Sequence, residues 1–195
     1  MTWPQTNPLG AGVRLDDFGH GHLHDPAYLR WLRDYQVVRT LNLPSYWEPV
    51  AFSQVKNYVD SILASQNDRL FALIDMRDNA FVGTMKAGHT DWQARTADVG
   101  IMIGERDRWG QGLARNGIRC LSEWLFDACG MRRLTSGFMA INPAMERPFL
   151  RNGFRPEGVL RQHDRLREGG YCDHILMGCF AHEFSNAISG KGLPL

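Results

Sequence analysis

The residues best suited to chemistry are 108–114, with the sequence RWGQGLA, where two glycines separate a strand-like run from an amphipathic helix. The first amide hydrogens of a helix have no partner within the helix, and the helix dipole places positive charge at the same end. Gly110 and Gly112 let the backbone approach a bound group closely. The turn therefore predicts a site for a phosphate or a diphosphate. The side chain of Arg108 offers a charge-assisted contact to such a group.

The glycine turn fits neither of two common nucleotide-binding motifs. A P-loop requires Lys and then Ser or Thr after its last glycine, but Gly112 is followed by Leu113 and Ala114. A dinucleotide fingerprint requires a third glycine where this chain has Arg115, and it follows the first strand of its fold, not a mid-chain strand. The predicted ligand therefore carries phosphate but belongs to neither class.

Three alternating histidines raise the question of a metal. His20, His22 and His24 would turn their rings to one side of an extended segment, but no cysteine or paired acidic motif accompanies them. We interpret the segment as a loop with incidental histidines and predict no metal site.

Composition limits the class of protein. The chain has 195 residues, 44% hydrophobic and 22% charged, which is typical of one compact α/β domain. Its formal net charge of +1 predicts neither a nucleic-acid partner nor a membrane-adsorbing face. The N-terminus has no basic segment before an apolar run, and no stretch approaches the ~18 apolar residues of a membrane span. Four cysteines without a C-x-x-C pair indicate core residues in a reducing compartment, so we predict the cytoplasm.

Periodicity and turn residues predict the elements that position the glycine turn. A polar leader to about residue 12 precedes an edge strand at residues 13–15, and Asp25 and Pro26 open a helix that ends at Asp34. Residues 40–47 form a loop rich in aromatic residues and proline. The other predicted helices span residues 48–64, 114–128 and 142–152, and the other strands span residues 70–75, 80–86, 97–104, 133–140, 154–162 and 171–180.

This order of elements predicts an α+β fold in which helices cover both faces of one mixed, mostly antiparallel sheet. We predict a single domain over residues 1–195, with the leader 1–12 and the tail 185–195 at its periphery.

Two segments resemble the motifs of a known family, the GNAT acetyltransferases. Residues 109–114 resemble [Gln/Arg]-x-x-Gly-x-[Gly/Ala], which follows the family's fourth strand, and they differ only at Trp109. Residues 142–158 are similar to Asn-x-x-Ser-x-x-x-Tyr-x-x-x-Gly-Phe-x-x-Glu-Gly, with the spacing from Asn to Gly-Phe retained. The resemblance covers residues 97–158. It extends to the branch that contains ribosomal-protein N-terminal, antibiotic and amino-sugar acetyltransferases.

The resemblance implies a GNAT fold and direct transfer of an acetyl group from acetyl-CoA to a primary amine, with no metal. It assigns the diphosphate of the coenzyme to the glycine turn and the pantetheine arm to the preceding strand. It gives Asn142 a hydrogen bond to the pantetheine arm or to the leaving group, and Asn142 also stands where a helix N-cap is expected. The cofactor-binding residues implied are Arg108, Trp109, Gly110, Gln111, Gly112, Leu113, Ala114, Ile101, Met102, Ile103 and Asn142.

The catalytic residues are predicted with less support from motifs. Asp98 is the first candidate general base, because it matches an acidic position that relatives often carry on this strand. His89 is the second, on the intrinsic pKa of imidazole. Asp91 and Trp92 are predicted to line the substrate mouth. Phe149 stands where many relatives have the tyrosine that protonates the leaving thiolate, and a phenyl ring has no proton to give.

The acceptor remains open at this point. The resemblance slightly favours an amino sugar or another small amine. The alternatives are a protein N-terminus and, because the tyrosine is missing, a non-catalytic acyl-CoA-binding module. We expect a monomer or a homodimer.

Overall fold

A computed structural model describes residues 3–41 and 43–190 of the chain. In this part of the chain the strands are β1 Leu9–Gly10, β2 Val13–Asp17, β3 Arg69–Asp75, β4 Ala80–Asp91, β5 Thr96–Ile103, β6 Arg133–Met139, β7 Arg155–Arg165 and β8 Tyr171–Phe180. The helices are α1 His20–Leu23, α2 Pro26–Arg33, α3 Tyr35–Val38, α4 Pro44–Trp47, α5 Phe52–Leu63, α6 Leu113–Asp127, α7 Glu146–Leu150 and α8 Ala181–Ile188. Short 3₁₀ turns at Arg106–Arg108 and Pro143–Met145 precede α6 and α7.

The strands form one sheet in the order β1-β2-β3-β4-β5-β6-β8-β7. Neighbouring strands are antiparallel except β5 and β6, which are parallel. These two strands pair only where Thr96–Asp98 meets Arg133–Thr135. Beyond this short ladder they separate, and the sheet opens at its centre.

The sheet is covered on both faces, as its residue alternation requires. Phe71 and Leu73 of β3 are buried in the same cluster as Ile118 of α6. Leu70 and Ala72 point to the other face, where they join the cluster formed by α2 and α5. The predicted α+β class, with a mostly antiparallel sheet between helices, is confirmed.

The start of the chain is more ordered than the sequence predicts. Leu9–Gly10 pairs with Val13–Asp17, so β2 is second in the sheet and the prediction of an edge strand at residues 13–15 is wrong. Trp3 stacks on Trp124 of α6 at 5.8 Å between ring centroids. Part of the predicted leader therefore packs on the main core. Residues 1 and 2 lie outside the described residues.

Other boundaries also differ from the prediction. Strand β4 continues to Asp91 instead of ending at residue 86. The second long helix begins at Phe52, not at residue 48, because Pro49 disfavours helical backbone at Glu48, which is extended with φ −149° and ψ 154°. Helix α4 lies within the predicted loop 40–47. Helix α8 includes part of the predicted tail and is anchored by buried Phe184, while the tail beyond residue 190 lies outside the described residues.

No helix in the described ranges is long and apolar enough to cross a membrane.

Candidate active site

The glycine turn joins β5 to α6 in a conformation that requires glycine. Gly110 and Gly112 have φ of 75° and 85°, in the left-handed region. An added Cβ at either position would meet no protein atom within 4 Å, so the backbone angle, not crowding, demands glycine. The first bond within α6 runs from the Asn116 amide to the Gly112 carbonyl at 3.0 Å. The amide hydrogens of Leu113 and Ala114 precede it at the positive end of the helix.

The β3–β4 hairpin holds this turn in place through charged side chains. The Arg108 guanidinium donates to Asp75 Oδ2 at 2.9 Å and to Asp78 Oδ2 at 2.5 Å. Arg77 also donates to Asp75, at 2.6 Å, and to Gln111 Oε1 at 2.8 Å. Because the Asp75 side chain is only 1% exposed, its charge needs these partners. In the structure Arg108 therefore fixes the turn, and its contact with a phosphate stays a prediction.

A cavity of about 610 Å³ lies where β5 and β6 separate, and we call it the splay cavity. Its walls come from β5, β6, the glycine turn, the first turn of α6, the segment leading into α7 and the segment 36–41. Of the predicted cofactor residues, it brings together Ile101, Met102, Ile103, Arg108, Trp109, Gly110, Gly112, Leu113, Ala114 and Asn142. Gln111 is not on the wall and instead donates to the Asp107 carbonyl at 2.7 Å.

The narrow end of the splay cavity is closed by side chains that bridge the two strands. Ser136 Oγ donates to the Val99 carbonyl at 2.7 Å, just beyond the last backbone pair. At the wider end, Asn142 donates to Thr40 Oγ1 at 3.2 Å and so links the α7 segment to the segment after α3. Its side chain makes no helix-capping bond, so the predicted N-cap role is wrong for the side chain. Phe149, on the same wall, is buried.

A second cavity, which we call the side cavity, has a volume of about 400 Å³. It lies between the sheet and helices α2, α4 and α5, and its walls include Tyr28, Val55 and Tyr58. Lys86 also lines it, with its Nζ 3.0 Å from Asp68 Oδ1. The two cavities share Leu41 and the β5 residues Gly100, Ile101 and Met102 as walls. They therefore meet at the middle of β5.

Asp98 is half-buried, one residue before the part of β5 that lines the splay cavity. Burial raises the pKa of its carboxyl group, against a hydrogen bond from Thr135 Oγ1 at 3.2 Å. Strand alternation turns Asp98 to the same face of the sheet as Met102, which is the face covered by α2 and α5. Asp98 is on the wall of neither cavity.

The structure does not bring the other predicted polar residues to either cavity. His89 is exposed within a bulge of β4 at φ 47°, and its amide donates to Asp68 at 3.3 Å. Asp91 accepts from two amides of the β4–β5 turn, at 2.9 and 2.8 Å. Trp92 donates to the Gln66 carbonyl at 3.1 Å. This turn lies at the end of the β4–β5 pair opposite to the glycine turn, so the substrate contacts of Asp91 and Trp92 stay predictions that neither cavity supports.

The three histidines near residue 22 contact different groups. His24 Nδ1 lies 2.7 Å from the His20 carbonyl. His20 Nε2 lies 3.1 Å from Asp60 Oδ1, and His22 Nδ1 accepts from the Gly19 amide at 3.3 Å. His20 and His22 belong to α1, so the predicted loop is partly helical.

A histidine that the sequence did not single out lines the splay cavity. His174 of β8 places its Nδ1 2.7 Å from Oδ2 of Asp164, a β7 carboxylate that is 1% exposed. Its Nε2 lies over β6, where a Cβ added at Gly137 would stand only 2.4 Å away. His174 and Asp164 are ten residues apart in the chain, across the last hairpin. The bulge that brings them together is not visible in the sequence.

Comparison with protein families is decisive for the class of this protein. The family described as "Acetyltransferase (GNAT) domain" matches residues 20–155, more than half of the chain. The chain belongs to the GNAT acetyltransferase family. The resemblance to GNAT acetyltransferases found at residues 109–114 and 142–158 is thus confirmed. The chain is an acetyl-CoA-dependent N-acetyltransferase.

Individual relatives agree with this GNAT assignment at low sequence identity. The uncharacterized N-acetyltransferase p20 of Bacillus licheniformis is 22% identical over 156 residues, which cover 78% of this chain and 84% of that protein. Spermidine N-acetyltransferase from Vibrio cholerae, solved with CoA and spermine, has a TM-score of 0.80 at 18% identity, covering 91% of this chain and 100% of that one. RimL, a ribosomal L7/L12 alpha-N-protein acetyltransferase solved with CoA, has a TM-score of 0.76 at 17% identity, covering 89% and 96%.

The residues of the splay cavity suit the donor of a GNAT enzyme. The amides at the start of α6 can receive a diphosphate. Arg115 and Arg147 line the same cavity, and both residues are exposed to solvent. The β5 wall from Val99 to Ile103 runs from the junction of the cavities to the glycine turn. Bound acetyl-CoA supplies an activated acetyl thioester, and these residues would hold its phosphates and its arm.

Proposed function

We propose that this GNAT enzyme acetylates a small primary amine with an apolar body, which it binds in the side cavity. One observation carries the proposal: the side cavity and the splay cavity share the wall formed by Gly100, Ile101 and Met102. A donor along β5 and an amine in the side cavity would therefore meet at the middle of this strand. Holding the two reactants together in this way supplies much of the rate enhancement of acyl transfer.

The backbone of β5 supports acyl transfer at this junction. Residues 99–103 lie beyond the pairing with β6, so this edge of β5 faces the splay cavity. Amide hydrogens on such an edge are suited to polarise the thioester carbonyl and to stabilise the negative charge that develops on its oxygen. The predicted contacts of Ile101, Met102 and Ile103 with the pantetheine arm belong to the same proposal.

The walls of the side cavity favour an acceptor with little charge. Most of the lining side chains are apolar, and none of its described lining residues carries a carboxylate. Its one charged wall residue is the cation Lys86. A polyamine would bring several positive charges without a matching anion, whereas an aliphatic or aromatic monoamine would bury its body against Val55, Tyr58 and Met102.

An apolar cavity also helps to prepare the nucleophile. An amine with a pKa of ~10.4 must lose a proton before it can attack, and at pH ~7 this costs roughly 4–5 kcal/mol. Burial in apolar surroundings disfavours the ammonium form and lowers this cost. Asp98, the first base candidate from the sequence, is on the wall of neither cavity, and its proposed role is that of an electrostatic partner on this side of the sheet.

The preference for an amino sugar rests on sequence resemblance, and the walls of the side cavity support the broader class of apolar-bodied amines instead. A peptide N-terminus with an apolar first residue remains the second candidate, because its side chain would also fit these walls.

A thiol-release assay with acetyl-CoA tests the proposal. The panel contains 2-phenylethylamine, glucosamine, spermidine and a Met-initiated peptide. Calorimetry measures coenzyme A binding in a separate experiment. We expect the highest kcat/KM with 2-phenylethylamine. A preference for spermidine would overturn the assignment of the acceptor, and coenzyme A binding without turnover of any amine would favour a non-catalytic module.

A further inference from the structure

We propose that His174 is the group that carries the proton during acetyl transfer and that Asp164 is its positioning residue. This inference rests on the proposed function, because it concerns the reaction at the junction of the two cavities. Three observations support it. His174 is paired with a buried carboxylate, its second ring nitrogen lies over Gly137 on the cavity wall, and the other titratable residues of the described wall are arginines.

The pair of His174 and Asp164 is built by an irregularity in β7. Leu160 pairs with His174 and Asp164 pairs with Cys172, so β7 uses four residues where β8 uses two. The extra residues include Gln162, which has φ 51° and donates its amide to Asp173 Oδ1 at 2.8 Å. This bulge brings the Asp164 carboxylate to 2.7 Å from His174 Nδ1. A bulge of this kind re-aims a side chain that a regular strand would place elsewhere.

The buried carboxylate defines which nitrogen is available. With Nδ1 facing Asp164 Oδ2, the neutral imidazole carries its hydrogen on Nδ1 and a lone pair on Nε2. Nε2 lies over the backbone of β6 at Gly137, which has no side chain to block it. Both Gly137 and His174 line the splay cavity. The carboxylate also stabilises the imidazolium that forms when Nε2 takes a proton.

The remaining wall residues leave His174 as the proton carrier. The other titratable side chains among the described residues of the splay cavity wall are arginines: Arg39, Arg108, Arg115 and Arg147. Arginine does not give up its proton in proteins, whereas histidine titrates at a pKa of ~6.5 in its ordinary state. In the side cavity, burial raises the pKa of the Tyr28 hydroxyl, which keeps it protonated near neutrality.

The charged and titratable groups around His174 come from several elements. Asp164 and His163 belong to β7, and the His163 ring centroid lies 5.7 Å from that of His174. Asp98 of β5 interacts with His174 electrostatically from the same face of the sheet. Arg39, after α3, lines the same cavity. Two carboxylates, a second imidazole and one arginine are therefore the charged and titratable groups around His174.

The proposed step transfers one proton from the amine to the leaving thiolate by way of His174. The amine nitrogen attacks the thioester carbonyl carbon and forms the new C–N bond, while His174 Nε2 takes one proton from that nitrogen. The C–S bond then breaks and its electron pair leaves on sulfur. His174 returns its proton to the thiolate, so the products are the acetamide and the free thiol of coenzyme A, and the histidine is again neutral.

The kinetic test compares three variants with 2-phenylethylamine and acetyl-CoA. We expect His174→Gln to lower kcat about 100-fold, within the range of general acid–base catalysis, and to remove the acidic limb of the kcat/KM profile, while coenzyme A affinity stays within twofold. Asp164→Asn should lower kcat by a smaller factor and move the limb to lower pH. The matched control is His163→Gln, which should keep both rate and profile. A His174→Gln variant with more than a third of wild-type kcat would overturn the proposal.

A second measurement requires neither an acceptor amine nor a folded Asp164→Asn variant. NMR titration of ¹⁵N-histidine-labelled protein, assigned with the His174→Gln variant, follows the His174 ring with coenzyme A and with desulfo-coenzyme A. We expect the thiol form to change the His174 resonances and their titration, and the desulfo form to change them less. Identical behaviour with both ligands would contradict a role beside the sulfur. Turnover of another amine of the panel instead of 2-phenylethylamine, with this NMR response intact, would count against the proposed acceptor but not against His174. Coenzyme A binding without turnover of any amine would overturn the role of His174 as well.

Discussion

Arg108 donates to the buried carboxylate of Asp75 at 2.9 Å, so the arginine of the glycine turn is bound to the neighbouring hairpin. The side chain of Asp75 is 1% exposed and that of Arg108 is 23% exposed. This ion pair connects the end of β3 to the segment that precedes α6. The anion site at the helix start therefore depends on a contact between two segments that are 33 residues apart in the chain.

The free energy of unfolding should depend on pH through the ion pairs of Asp75 with Arg77 and Arg108. Hydrogen bonds from Arg77, with a further one from Arg108, lower the pKa of Asp75 from 3.8 to about 2. The unfolded chain binds this proton more readily, so the stabilisation is complete above about pH 4 and is lost as the pH falls toward 2. We expect the difference in free energy of unfolding between wild type and Asp75→Asn to shrink over this range in urea titrations. A difference that stays constant from pH 6 to pH 2 would contradict this assignment.

Arg108 and Arg115 should differ in what their removal affects. Arg108→Gln breaks a pair with a buried carboxylate, so we expect a lower unfolding temperature and only an indirect loss of coenzyme A affinity. Arg115→Gln removes an exposed cation on the wall of the splay cavity, so we expect coenzyme A affinity to fall about tenfold at an unchanged unfolding temperature. Calorimetry and thermal unfolding of both variants check the pair. The reverse pattern would restore Arg108 as the phosphate contact.

The sequence was sufficient to locate the glycine turn but not to assign its side chains. Gly110 and Gly112 are visible because a left-handed backbone at the start of a helix has few solutions other than glycine. The partners of Arg108 are more than 29 residues away in the chain, on a hairpin whose packing no local pattern records. His174 was missed for the same kind of reason: its contact with Asp164 depends on the β7 bulge, and no periodicity predicts a bulge.

Gly112 should be needed for both conformation and binding. Alanine at φ 85° is strained, so we expect Gly112→Ala to lose about 1 kcal/mol of stability and also to weaken acetyl-CoA binding by displacing the amides at the start of α6. Gly12→Ala is the matched control, since Gly12 has φ 77°, also has open space around it and lies in the β1–β2 turn. The control should lose similar stability with unchanged affinity in calorimetry. Equal loss of affinity in both variants would refute the anion site.

Asp98 and His89 can be separated by their pH–rate profiles. His89 is exposed and outside both cavities, so we expect His89→Gln to keep wild-type turnover. Asp98→Asn removes a half-buried carboxyl group that interacts electrostatically with His174, so we expect about tenfold lower kcat and an acidic limb shifted to lower pH. Complete loss of the limb in Asp98→Asn would identify Asp98 itself as the base. A tenfold loss in His89→Gln would mean that the exposed histidine reaches the reactants.

Charge at the side cavity should control which amines are accepted. Gln54 lines this cavity and its Oε1 accepts from the Ala51 amide at 2.8 Å, a capping contact that glutamate also makes. We therefore expect Gln54→Glu to fold normally and to raise kcat/KM for spermidine relative to 2-phenylethylamine about threefold to tenfold at low salt, with the gain reduced in 0.5 M NaCl, because the new carboxylate attracts a polycation. Gln36→Glu, on the wall of the splay cavity, is the control and should leave this ratio unchanged. If Gln54→Glu leaves the ratio unchanged at low salt, the acceptor does not bind in the side cavity.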